Sequence, residues 1–92
     1  MTLPSVLASV IRTLVTEFPT LRQLDLKEDT PLYSAGLLDS FATVTLLASL
    51  EKEFDVDLNV EKLSLEQLET PRSLAELCIS AWSLSHGGRH DH

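Results

Sequence analysis

Three stretches of this chain place apolar residues three and four positions apart, and no pair of stretches alternates well enough to build a sheet. That pattern confines the fold to packed helices. Residues 5–18 carry Val6, Leu7, Val10, Ile11, Leu14, Val15 and Phe18 on one face. Pro4 suits a first helical turn and Pro19 ends the helix. Residues 40–54 carry Phe41, Val44, Leu47, Leu50 and Phe54 as one stripe, widened by Leu46 and Ala48. Few polar residues precede Glu51, so this second helix is expected to be the most buried. Asp39 and Ser40 both suit its N-terminal cap. Leu74, Leu77, Cys78, Ala81 and Trp82 form the stripe of a last helix over roughly 71–84, behind the cap and first-turn proline Thr70-Pro71.

The segments between are less regular. Residues 19–38 hold Leu21, Leu24, Leu26, Leu32, Leu37 and Leu38 without a steady period, broken by Asp29-Thr30-Pro31 and Ala35-Gly36. Twenty residues are long for a structureless connection, so these leucines predict a loop packed onto the core, with a short turn near 21–24. Residues 55–60 alternate apolar and polar side chains, but no partner strand exists, which predicts an extended connection. Ser64 to Leu68 reads as one or two helical turns. The expected fold class is all-α: a small four-helix bundle of three main helices plus one short helix, with a long loop between helices one and two. At 92 residues the chain holds one core. The domain is expected over 1–85, followed by a disordered, Gly- and His-rich tail over 86–92.

The chain carries 14 acids and 7 bases, a net charge of −7. That balance argues against nucleic acid and against an anionic membrane surface, since both reward clustered Lys and Arg. The acidity is uneven. Residues 39–76 hold nine acids against three bases, whereas residues 1–38 hold four against three. A basic protein surface is the complement of the acidic half. One cysteine excludes an internal disulfide and a Cys-rich zinc site. The N-terminus lacks a basic start and a long apolar run, and no stretch of 18 apolar residues occurs. A cytoplasmic location is expected.

Ser40 stands out on physical grounds. It follows the Gly36 loop and opens the most apolar helix, where unpaired N–H groups and partial positive charge favour an anion. A hydroxyl there suits either a cap or a phosphodiester. The surrounding residues add to that reading. Leu37-Leu38-Asp39-Ser40-Phe41, followed by Val44, Leu46, Leu50, Glu51 and Phe54, resembles the acyl carrier protein family. Asp29-Thr30-Pro31-Leu32-Tyr33-Ser34-Ala35-Gly36 is similar to that family's loop before Asp-Ser, and Thr70-Pro71-Arg72-Ser73-Leu74 to the opening of its last helix. The resemblance spans about 5–84.

The resemblance implies a non-catalytic, monomeric carrier. Ser40 is the expected attachment site for 4′-phosphopantetheine, with Asp39 recognised by the phosphopantetheinyl transferase that adds it. The arm's thiol would hold a cargo as a thioester, loaded by a ligase or acyltransferase and passed to downstream synthases. Leu38, Phe41, Glu51, Glu53, Asp57 and Glu61 are the expected partner-docking residues. This second helix lacks the early acids of fatty-acid carriers, which would fall at Ala42 and Thr45. It also lacks the Gly-Gly that precedes the serine in peptidyl carriers, where Leu37-Leu38 stands. The pattern looks closer to freestanding carriers of activated amino acids, including D-alanyl carriers.

Three rival readings come from other classes. Asp55, Asp57, Asn59 and Glu66 fall at positions 1, 3, 5 and 12 of an EF-hand loop, but Val60 replaces the glycine of its sharp turn and Leu63 cannot ligate. A serine hydrolase would need a base for Ser40, and the histidines, His86, His90 and His92, all lie in the tail. An acidic helical interaction module without a prosthetic group would share the same surface charge. Cys78 lies on an apolar stripe and reads as a buried inert thiol. Trp82 reads as an anchor of the last helix.

Overall fold

The computed structural model describes residues 2–87, with side chains as far as Ser85. Helix α1 spans Leu3–Glu17 and buries Val6, Val10 and Leu14, the i, i+4, i+8 subset of its predicted stripe. It starts earlier than the periodicity indicated, because Pro4 in the first turn needs no donor there. Its last bond is the Phe18 N–H donating to the Leu14 carbonyl. Pro19 then opens a 3₁₀ turn over Pro19–Gln23, which drives Leu21 into the core.

Helix α2 spans Ser40–Phe54 and ends at Asp55, which adopts a left-handed conformation at φ 55°. The Glu51 carbonyl accepts the Asp55 and Val56 N–H groups, and its carboxylate Oε2 accepts from Leu58 N–H at 2.9 Å. One glutamate therefore ties off the helix and the connection after it. Asn59, at φ 52°, turns the chain into a 3₁₀ turn, Val60–Lys62. The connection is thus a pair of left-handed turns rather than a uniformly extended run. Short helix α3 spans Leu65–Leu68, its start held by Ser64 N–H donating to the Gln67 side chain at 2.9 Å. Helix α4 spans Pro71–Trp82. Its Thr70 hydroxyl accepts from Ser73 N–H at 3.0 Å, while the Ser73 hydroxyl accepts from Thr70 N–H at 3.1 Å. A π-helical turn follows over Ser83–Gly87. Of the tail expected over 86–92, residues beyond Gly87 lie outside the described residues.

The protein is all-α, a small four-helix bundle, with no strand among the described residues. α1 packs most broadly against α4, α2 packs on both, and α3 lies against α4. The long loop contributes Leu21, Leu32 and Leu38 to the core, as its leucines predicted. Two expectations for α2 need correction. Its buried face is Thr43, Leu46, Leu47 and Leu50, while Phe41 is 82% exposed and Val44 61% exposed. α4, with Pro71, Leu74, Ala75, Cys78 and Ala81 buried along a shorter helix, is the more buried of the two. The cause lies in composition. Between Ser40 and Leu50 the helix has no charged residue to mark its solvent face, so two apolar stripes compete and packing selects one.

Candidate phosphopantetheine attachment site

The site begins at the Asp39-Ser40 step. Asp39 is extended, at φ −113° and ψ −175°, and its Oδ1 accepts from Ala42 N–H at 2.8 Å. Its carbonyl accepts from Thr43 N–H at 3.0 Å and from the Thr43 hydroxyl at 2.7 Å. Asp39 is therefore the cap, and Ser40 is the first helical residue. Ser40 is exposed, and its hydroxyl has no hydrogen-bond partner among the described residues. The Ser40 and Phe41 N–H groups have no acceptor there either, as expected for the first turn of a helix. The result is a free hydroxyl beside unpaired donors at the positive end of the α2 dipole.

Those features fit a covalently attached phosphodiester. The hydroxyl is accessible and plays no part in holding the helix, because Asp39 does the capping. The unpaired N–H groups can solvate a phosphate oxygen. Asp39 sits beside Ser40 and is exposed, so its carboxylate is open to a protein that approaches the serine.

The other predicted docking residues are scattered rather than gathered. Leu38 needs correction: at 5% exposure it is a core residue beneath the site and presents no surface to a partner. Being in a loop, it shows no period that would have revealed its burial. Phe41 points outward. Glu51 is half-buried and engaged with Leu58 N–H. Glu53 lies 3.6 Å from the Arg12 guanidinium. Asp57 is exposed, and its Oδ1 accepts from Asn59 N–H at 3.0 Å. Glu61 is exposed. Among the described residues no three His, Cys, Asp or Glu side chains are placed to hold a metal ion. The side chains of His86, His90 and His92 lie outside the described residues.

Three residues near the site were given no role of their own by the sequence, although Tyr33 and Gly36 lie in the loop that resembles the family's. Gly36 holds φ +73° in the loop that leads to Ser40. The Tyr33 phenol is pushed above its ordinary pKa, first by burial and then by the charge of Asp39. The Glu69 carboxylate is held below the usual carboxylate range by hydrogen bonds from Ser34 and from the Tyr33 N–H, against some desolvation. Tyr33, Ser34, Leu65, Glu66 and Glu69 line an open cleft of about 400 Å³ between the loop and α3. Cys78 is fully buried, and burial pushes its thiol from 9.0 up to about 12, so it stays protonated and inert.

A helical bundle presenting a free serine at the start of its second helix is the architecture of a carrier domain. The family described as PP-binding, phosphopantetheine attachment site, matches residues 9–78, and the chain belongs to it. That family is defined by 4′-phosphopantetheine bound covalently to a serine. Among curated proteins, the chain is 37% identical over 46 residues to a D-alanyl carrier protein of Lactobacillus acidophilus, covering 50% of this chain and 58% of the relative. It is 35% identical over 48 residues to that of Lactobacillus delbrueckii subsp. bulgaricus, covering 52% and 60%. It is 39% identical over 46 residues to that of Lacticaseibacillus rhamnosus, covering 50% and 57%. The matches thus span less than two thirds of these relatives' length. No solved structure gives a significant match.

Among the described residues no helix is long and apolar enough to cross a membrane.

Proposed function

We propose that this chain is a carrier protein whose Ser40 takes the 4′-phosphopantetheine arm. The observation that carries the reading is the exposed, uncommitted Ser40 hydroxyl at the first position of α2, in a chain whose family attaches the arm to a serine. When bound, the arm supplies a thiol that holds an acyl or aminoacyl cargo as a thioester. The chain itself contributes no catalytic group. A separate magnesium-dependent transferase forms the bond from Ser40 Oγ to phosphorus as the phosphoanhydride of coenzyme A breaks; adenosine 3′,5′-bisphosphate leaves with the bridging oxygen, and the serine proton passes to the transferase. Asp39 keeps α2 capped whether or not Ser40 is esterified, because its bond to Ala42 N–H does not involve the serine. Its charge, beside the ester, is the feature for the transferase to recognise.

For the cargo, we propose an activated amino acid of the D-alanine class, loaded by a ligase and consumed by a downstream acyl-transferring enzyme. Two observations support this. The aligned relatives are named D-alanyl carrier proteins. The opening of α2 is uncharged after Asp39, with Phe41 and Val44 outward where a partner must approach Ser40. Such a surface rewards an apolar partner face rather than a cluster of lysines. Phe41 is the docking residue next to the serine, and Asp57 and Glu61 provide acidic steering further away. The working species is a monomer in the cytoplasm, where coenzyme A and the transferase are at hand.

The test uses the full chain, coenzyme A, magnesium and a broad-specificity phosphopantetheinyl transferase, followed by intact mass. One phosphopantetheine is gained by the wild type and none by Ser40→Ala. The holo protein then gains one alanyl group when given D-alanine, ATP and a D-alanine-activating ligase. A wild type that gains nothing returns the chain to an acidic interaction module. A holo protein that refuses D-alanine overturns the cargo assignment alone.

A further inference from the structure

The groups that aim Ser40 lie far from it in sequence. Leu32 N–H donates to the Glu69 carbonyl at 2.7 Å. The Glu69 carboxylate Oε1 accepts from Tyr33 N–H at 3.1 Å and from Ser34 N–H at 3.2 Å. The Leu32 carbonyl in turn accepts from Leu37 N–H at 2.8 Å and Leu38 N–H at 3.2 Å. Between them, Gly36 N–H donates to the Tyr33 carbonyl at 2.9 Å, and the φ of +73° at Gly36 then turns Leu37 and Leu38 back toward the Leu32 carbonyl. Residues 32–38 therefore form a closed loop. One end hangs on Glu69, and the other continues directly into Asp39 and Ser40. Leu32 and Leu38 pin the loop into the core. A second tie runs alongside: Arg72 N–H donates to the Glu28 carbonyl at 3.0 Å, and the Arg72 guanidinium donates to the Glu28 carboxylate at 3.1 Å.

We propose that Glu69 is a positioning residue for the chemistry of Ser40: by holding the Tyr33 and Ser34 amides, it fixes the closed loop and so the direction in which α2 presents its first turn. The inference rests on the reading of Ser40 as the attachment site. The α2 start is held internally by Asp39, Ala42 and Thr43, so it survives the loss of Glu69. The 33–34 amides have no other acceptor among the described residues; the Ser34 amide is exposed and water can take it, but the Tyr33 amide is part-buried, and such a donor without a partner drives the backbone to rearrange. A carboxylate oxygen accepts two donors at once with charge-assisted strength, and the Ser34 side chain adds a further hydrogen bond to the same carboxylate. Removing Glu69 therefore leaves a helix that is formed but no longer aimed.

The experiment compares wild type, Glu69→Ala, Glu69→Gln and the control Glu76→Gln in steady-state transfer from coenzyme A by a broad-specificity phosphopantetheinyl transferase. Amide hydrogen exchange is followed on the same samples. Glu69→Ala loses kcat by roughly tenfold or more, with KM for the carrier within about twofold, because the encounter survives while the reacting geometry does not. Tyr33 and Ser34 lose exchange protection and Thr43 keeps its own. Glu69→Gln recovers most of kcat, since its amide oxygen accepts the same N–H groups, and Glu76→Gln matches wild type. Unchanged kcat in Glu69→Ala with fast exchange at Tyr33 and Ser34 overturns the proposal and leaves Glu69 as a loop closure alone. Should Glu69→Ala fail to fold, Glu69→Asp takes its place, withdrawing the oxygen while keeping the charge; the same loss of kcat is expected and its absence is fatal. A wild type that accepts no phosphopantetheine overturns the underlying reading and this inference with it, a result distinct from a difference between variants.

Discussion

Asp39 caps α2, and substitution separates that role from the transferase recognition proposed for its charge. Its Oδ1 accepts from Ala42 N–H at 2.8 Å, whereas its carbonyl bonds to Thr43 belong to the backbone and survive any side-chain change. Asp39→Ala removes the cap bond, worth about 1 kcal/mol at a helix N-terminus. It also removes a negative charge from the positive end of the helix dipole, worth roughly 0.3–1 kcal/mol at low salt. The total is about 1–2 kcal/mol. A domain of this size shifts its melting temperature by roughly 4–8 °C per kcal/mol, so a drop of the order of 10 °C is expected. Asp39→Asn keeps an acceptor of the same shape and loses only the charge, so its drop is about a third as large and shrinks further in high salt. Thermal and urea unfolding at two salt concentrations read both variants. In the transferase assay the order changes. If the carboxylate is recognised, Asn and Ala variants are slowed alike, although only Ala is strongly destabilised. Equal loss of stability in the two variants would refute the assignment of the cap bond, and an Asn variant modified at the wild-type rate would refute recognition of the charge.

Other expectations follow from the same structure. Leu47→Ala on the buried face of α2 costs about 2–5 kcal/mol, while Phe41→Ala, at 82% exposure, changes stability by less than about 0.5 kcal/mol; urea unfolding that reverses this order would invert the face assignment. A Cβ at Gly36 meets nothing within 4 Å, so Gly36→Ala carries only the left-handed backbone cost of about 1–2 kcal/mol, and Gly36→Asn less. Cys78, pushed from 9.0 to about 12 by burial, keeps its proton in the folded state. Below pH 9 the thiol is neutral in both states and favours neither; from there to about 12 only the unfolded chain loses the proton, so stability falls as pH rises. Cys78 should accordingly resist thiol reagents at pH 8 until denaturant is added, and rapid labelling of the native protein would contradict its burial.

Much of the fold was legible because helices advertise themselves locally. Pro4, Pro19 and Thr70-Pro71 mark ends, and the stripes of α1 and α4 each face a single direction. Legibility failed where information is not local. The uncharged run from Ser40 to Leu50 offers two apolar faces, and contact with α1 and α4 decides between them, which is why Phe41 and Val44 read as core. Leu38 shows no period because it sits in a loop, so its proximity to Ser40 suggested surface where there is core. Within the candidate site, the exposure of Ser40 at the opening of α2 agrees with its placing by the Asp-Ser step. The choice of Asp39 as cap is settled only by the fold, where its Oδ1 meets Ala42 N–H, because either side chain can serve. Glu69 was invisible: its bonds to Tyr33 and Ser34 join segments remote in sequence, and neither periodicity nor composition encodes such a tie.

The most direct measurement locates the modification on protein recovered from its own cells. Cleavage after Lys27 and Lys52 releases a single peptide, residues 28–52, that contains Ser34, Ser40 and Ser49. Tandem mass spectrometry of that peptide distinguishes the three serines from one another and from Thr30, Tyr33, Thr43 and Thr45. One phosphopantetheine on Ser40, with Ser34 and Ser49 bare, is the predicted result; a peptide that is wholly unmodified, or modified at Ser34 or Ser49, contradicts the account.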